Sequence, residues 1–148
     1  MNKTTIIERL KSLLDEKVSI AWNAMQAAQA SANEESKSSA GDKYETGRAM
    51  AQNERDRYAQ QYEILRQERL QLERQELAAH YERVEFGSLI ETSEGWFLIA
   101  ISVGIIPVDT EKVVVISPGS PIGSQLLGKR IGEHFQFRGK SCSIIRIE

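Results

Sequence analysis

The stretch Ser38–Gln52, SSAGDKYETGRAMAQ, separates two long helical patterns. Before it, apolar residues recur at Ile7, Leu10, Leu14, Val18, Ala21, Met25, Ala28 and Ala32, always three or four apart, which is the spacing of a single helical seam. After it, Ala51, Tyr58, Tyr62, Leu65, Leu72 and Ala79 continue a helical spacing within a background of Gln, Glu and Arg. Those three are good helix formers. Each pattern predicts a helix of about 35 residues, roughly 50 Å long at 1.5 Å per residue. Neither helix is apolar enough to be buried on all sides. An antiparallel hairpin solves this, because each seam covers the other and the tip falls near residues 36–45. A globular bundle folded back on the rest of the chain is the alternative. The seams are narrow and Ala-rich toward the tip, which favours two close-packed helices standing alone. Thr5 with Glu8 three residues later has the pattern of a capping box at the start of the first helix. Arg69 and Glu73 make an i,i+4 pair of opposite charge in the second.

The composition changes near Tyr81. All three prolines, Pro107, Pro118 and Pro121, lie beyond it, as do most glycines. VEFGSLIET, WFLIAISV, EKVVVIS, EHFQF and SCSIIRI are β-branched or aromatic-rich and predict strands. In PIGSQLLGK the apolar spacing of Ile122, Leu126 and Leu127, with Gly128 after it, predicts a short helix ending in a glycine cap. Pro121 suits its first turn. The expected organisation is α+β. Residues 1–80 form the coiled-coil hairpin, and residues 81–148 form a small antiparallel sheet with one short helix.

Over 148 residues the net charge is −2, which argues against broad electrostatic binding of nucleic acid or an anionic membrane. Cys142 is the only cysteine, and His80 and His134 are far apart, so neither an internal disulfide nor a cysteine-rich zinc site is expected. This suits a reducing cytoplasm. No signal peptide is recognisable, and no apolar run approaches the ~20 residues of a spanning helix.

Asp42 and Glu45 share one face at the start of the second helix. Asp-x-x-Glu at that place is a helix cap, or two carboxylates able to face one hard cation. Glu34 and Glu35 end the first helix and have the character of a solvated terminus. Lys37, Lys43 and Arg48 flank the tip and suit phosphate contacts. Tyr44 there either stacks on a base or packs back on the helices. Arg55, Arg57, Arg66 and Arg69 form either a basic stripe or, with Glu68 and Glu73, a mixed solvated surface. Trp22 is expected at the helix flank, Cys142 as a buried inert thiol, and His134 on the surface.

Three segments together resemble the Gre transcript-cleavage factors of bacterial RNA polymerase. GDKYET is similar to that family's Gly-Asp-x-x-Glu-Asn tip, with Asp42 and Glu45 on the acidic positions. VEFGSLIET is similar to its Val-x-Phe-Gly-Ser strand. ISPGSPIGSQLLGKRIGEHFQF is similar to its Ser-Pro and Leu-Leu-Gly-Lys segment and is the most specific of the three. Thr46 stands where the family has Asn, GRAMAQ departs from its tip flank, and AISVGIIPVDTEKVVV lacks its acidic loop.

The resemblance implies an FKBP-like second domain docking at the rim of the polymerase's secondary channel, with the hairpin inside the channel. Asp42 and Glu45 would help hold a catalytic Mg²⁺ beside a backtracked RNA 3′ end. Mg²⁺ would be bound only in that complex, and the chain would assist the polymerase's own hydrolysis without being a complete enzyme. Lys43, Tyr44 and Arg48 at the tip, and Ser120 and Pro121 in the second domain, are the expected partner contacts. The chain is expected to act as a monomer. Two further readings stand beside this one: a channel regulator that does not stimulate cleavage, and a peptidyl-prolyl isomerase. Against the isomerase, Phe86, Trp96, Phe97, Phe135 and Phe137 all fall on predicted strands and suggest no aromatic proline pocket.

Overall fold

The structure is a computed structural model describing residues 1–35, 41–75 and 80–148, without the side chains of residues 35 and 41–44. Two long helices, α1 (Lys3–Glu35) and α2 (Gly41–Glu73), are followed by six strands and one short helix. The chain forms two compact units: Arg9–Glu73, and Met1–Glu8 together with Arg74–Glu148.

α1 begins two residues before the predicted cap. The Asn2 side chain accepts a hydrogen bond from the Thr5 amide at 3.2 Å, so Asn2 rather than Thr5 caps the helix. The amide so satisfied is that of Thr5 itself, one of the unpaired N–H groups of the first helical turn.

In the helical unit α1 and α2 run antiparallel. Arg69 Nε meets Asp15 at 2.8 Å, Lys11 Nζ meets Glu73 at 3.5 Å, and the rings of Trp22 and Tyr62 lie 5.2 Å apart. Residue number rises along α1 as it falls along α2. The buried seam is narrow and mostly small, with Leu14, Ala21, Ala28, Ala32, Ala51 and Leu72 covered. Alanine lets two backbones approach closely and leaves little else to bury.

The other unit is built on a sheet with strand order β3-β4-β2-β1-β6-β5. The strands are β1 (Leu89–Thr92), β2 (Gly95–Ile99), β3 (Gly104–Val108), β4 (Glu111–Ile116), β5 (His134–Phe137) and β6 (Lys140–Ile147). The fold is therefore the expected α+β arrangement of helical hairpin and sheet with one short helix, with two refinements. β2 and β4 pair in parallel, while the other pairings are antiparallel. β3 was not among the predicted strands because Gly104 and Pro107 read as breakers. It lies at an edge of the sheet, where a proline's missing N–H is tolerated.

The apolar run WFLIAI does not alternate because both faces of the sheet are covered. One face carries Ile90, Phe97, Ile99, Phe135, Cys142 and Ile144 in a core with Leu126. On the other, Leu89, Leu98, Val113 and Val115 are equally buried. Ile6 and Ile7, in the same unit, are buried too.

The short helix α3 (Pro121–Leu126) follows from its sequence almost residue by residue. The Ser120 hydroxyl accepts from the Gly123 amide at 3.0 Å and donates to the Ser117 carbonyl at 2.8 Å. Pro121 occupies the first turn. A Cβ on Gly123 would overlap the Ser117 carbonyl, so only glycine allows the loop to close on the helix. Gly128, at φ +79°, terminates it, and its amide donates to the Val84 carbonyl at 2.9 Å. Val84 in turn donates to Lys129 O at 2.9 Å. Two of the segments singled out in the sequence, VEFGS and LLGK, are thus joined by backbone hydrogen bonds.

Candidate functional site

The tip residues 36–40, including Lys37, lie outside the described residues. α2 begins at Gly41, so Asp42 and Glu45 stand in its first turns, at the end of the helix where unpaired amides make the potential positive. Glu45 and Arg48 are exposed, as is Glu34 near the end of α1. The side chains of Asp42, Lys43 and Tyr44 lie outside the description, so the choice between capping and ligation at Asp42 falls there too. Two carboxylates at i and i+3 match the oxygen preference of Mg²⁺ as a partial ligand set. Among the described residues, no three His, Cys, Asp or Glu side chains gather as a metal cluster.

Ser120 and Pro121 belong to the sheet unit, whereas Asp42, Glu45 and Arg48 belong to the helical unit. Both Ser120 and Pro121 are engaged structurally at the start of α3.

The arginines of α2 resolve as a mixed surface. Arg55 meets Asp56 at 3.0 Å, Arg57 meets Glu54 at 3.9 Å, and Arg66 meets Glu63 at 2.7 Å. Hydrogen bonds from Arg66 and Gln67 hold the Glu63 carboxyl down at about 2. Arg69 is shared between Glu73 and Asp15, at 2.7 and 2.8 Å, and ties the two helices together. Hydrogen bonding to Arg69 and the charge of Lys11 lower the Glu73 pKa. Each of these guanidinium groups has a carboxylate within the protein, which removes the continuous basic stripe.

The sheet unit holds a feature that the sequence reading missed. Trp96, Phe97 and Phe137 line one cleft of about 430 Å³, with Ile105 and Val114 as aliphatic wall and Arg138 at its rim. Phe97 meets Phe137 edge-on at a centroid distance of 5.4 Å, and the Arg138 guanidinium lies 5.0 Å from the Phe137 ring. Phe97 and Phe137 come together although β2 and β5 are distant in sequence. A strand assignment does not reveal which aromatics share a face. Phe135 joins the core beneath.

The remaining assignments follow from burial. Cys142 is buried, with Sγ 3.6 Å from the Lys140 carbonyl. His134 is exposed on the edge strand β5. Trp22 is 44% exposed on the hairpin flank. No described helix is long and apolar enough to cross a membrane.

No protein-family model matches the chain, and no curated protein matches it. Among solved structures, that of the transcription factor Gfh1 is similar at 21% identity, covering 93% of this chain and 92% of that one, with a TM-score of 0.37.

Proposed function

We propose that this chain is a transcription elongation factor that binds bacterial RNA polymerase in the cytoplasm, inserts its hairpin into the secondary channel and promotes Mg²⁺-dependent cleavage of backtracked RNA. What supports this reading is the Gre-like sequence pattern together with one observation. Asp42 and Glu45 stand in the opening turns of a 33-residue helix paired antiparallel with another of equal length. At 1.5 Å per residue such a helix reaches roughly 50 Å, so the two carboxylates stand at the far end of α2 from Glu73.

Asp42 and Glu45 would bind Mg²⁺ weakly alone, and the polymerase and the RNA would supply the remaining oxygen ligands. The ion, when bound there, supplies an activated water for phosphodiester hydrolysis. The start of α2 places both residues within its opening turns, three positions apart, at the end of the helix that favours negative charge. Lys43, Arg48 and Tyr44 would position RNA or channel wall around them, and Ser120 and Pro121 would serve the docking of the sheet unit.

The test is RNA shortening in a purified backtracked elongation complex. The protein should shorten the transcript in Mg²⁺, and Asp42→Ala with Glu45→Ala should abolish this while polymerase binding stays. Full cleavage by the double variant would defeat the tip assignment. Binding without shortening would identify a regulator that does not stimulate cleavage, a reading that Thr46 in place of Asn favours.

The cleft beside Phe97 and Phe137 favours a second reading, peptidyl-prolyl isomerisation there. A prolyl peptide whose isomerisation is not accelerated by the protein would end it.

A further inference from the structure

The cleft of the sheet unit is apolar along one half and cationic at its end. Phe97, Val114 and Ile105 are cross-strand neighbours on β2, β4 and β3, so they share one face of the sheet. Phe97 is buried beside Phe137, Val114 is half-buried and Ile105 is 60% exposed, so the row passes from core to open surface. Lys112, two residues before Val114, projects to the same face and is exposed. Arg138 stands where β5 turns into β6, with its guanidinium against the Phe137 ring. Among the described residues neither Lys112 nor Arg138 has a carboxylate within ion-pair distance. Arg146 of the same unit, by contrast, meets Glu91 at 2.9 Å and Glu148 at 3.6 Å. Glu94 and Glu111 border the cleft as well. Strand alternation sends Glu111 to the opposite face with Val113, and Glu94 is exposed in the turn between β1 and β2. Arg138 is kept at its place against backbone preference, because its φ is +51°, where glycine or asparagine is less strained. Strain of this kind at the rim of a cleft marks a side chain retained for contact.

We propose that this cleft binds an extended acidic peptide segment of a partner protein, with an apolar side chain between Ile105 and Phe137 and a carboxylate on Lys112 and Arg138. Val114 and Lys112 are two residues apart on one strand, which is roughly 7 Å. A peptide lying extended along β4 repeats that spacing, so the segment that fits reads apolar-x-acidic. The carboxylate accepts two parallel hydrogen bonds from the Arg138 guanidinium, and Lys112 adds a second positive charge. The cleft's volume of about 430 Å³ holds a few side chains. The exposure of Ile105 leaves one wall open, which suits a chain passing through more than a small molecule that must be enclosed. The assignment concerns binding alone and uses neither prolyl isomerisation nor the polymerase.

The experiment is fluorescence anisotropy of a fluorescein-labelled, proline-free peptide, Gly-Ser-Leu-Ser-Glu-Ser-Gly, titrated with the full chain. Binding should saturate with a Kd below roughly 300 µM. Replacing the peptide's leucine by serine, or its glutamate by lysine, should each weaken it at least tenfold. Lys112→Gln and Arg138→Gly in the protein should do the same. Glycine suits the left-handed φ of residue 138, so Arg138→Gly keeps the turn and the circular dichroism spectrum. Lys129→Gln, outside the cleft, should leave the Kd unchanged. A Kd above that limit, indifference to Arg138→Gly, or equal affinity for the lysine peptide would each overturn the proposal. A tenfold loss with Lys129→Gln would reduce it to unspecific charge attraction, and displacement of the peptide by equimolar octanoate would assign the cleft to small apolar carboxylates instead.

Discussion

Ser120 and Lys3 illustrate how much a single side chain decides in the sheet unit. The Ser120 hydroxyl satisfies the Gly123 amide and reaches back to Ser117, so it fixes both the helix start and the loop before it. Ser120→Ala should destabilise the protein by about 1 kcal/mol, as loss of an N-cap usually does, read as a lower urea midpoint with unchanged slope. Lys3 is buried against the Tyr81 ring, with Nζ 4.7 Å from its centroid and 3.3 Å from the Glu148 carbonyl. Burial lowers its pKa from 10.5, outweighing the opposing charge of Glu148. The unfolded chain therefore holds that proton more tightly, and the charged form is penalised in the fold. Stability should rise as pH climbs through the depressed value toward 10.5, and then level. Denaturation midpoints from pH 7 upward should show this rise in the wild type, and Lys3→Met should remove it.

At the level of elements, the long helices were legible because a 3.6-residue period repeated over thirty residues is a strong signal, and α3 because Ser, Pro and Gly stand at its chemically required places. β3 was hidden, since Gly104 and Pro107 weaken a local pattern that only an edge position rescues. The parallel pairing of β2 with β4 and the meeting of Phe97 with Phe137 were hidden for a different reason: both depend on residues that meet only through the sheet. At the candidate site the placement of Asp42 and Glu45 at the start of α2 was legible from the break before them. The partners of the α2 arginines were less so, because Asp15 lies on the other helix. Arg69 joins Asp15 and Glu73, and Lys11 also reaches Glu73. Arg69→Ala should cost about 1 kcal/mol of hairpin stability in dilute buffer and much less in molar salt, because exposed ion pairs are screened. Thermal melts at two ionic strengths, with Asp15→Ala as companion, measure the difference.

For the whole molecule, the division into two compact units predicts that unfolding departs from a single transition. The two tryptophans report separately, since Trp22 lies in the helical unit and Trp96 in the sheet unit. In Trp22→Phe, fluorescence follows the sheet while far-ultraviolet dichroism is dominated by helix. The two urea curves should have different midpoints, and superimposable curves would show one cooperative block. The same division bears on synthesis. Met1–Glu8 belong to the unit whose remaining residues begin at Arg74, so the hairpin is an insertion within it. On the ribosome the first eight residues emerge early and must wait while the whole insertion is made. Both members of the hairpin seam are available long before β1. Strand β6 takes an interior place between β1 and β5, so the sheet stays open until Lys140–Ile147 have left the exit tunnel. The order of assembly is therefore the reverse of the order of synthesis within Met1–Glu148: the inserted piece folds first, and the unit that brackets it closes afterwards.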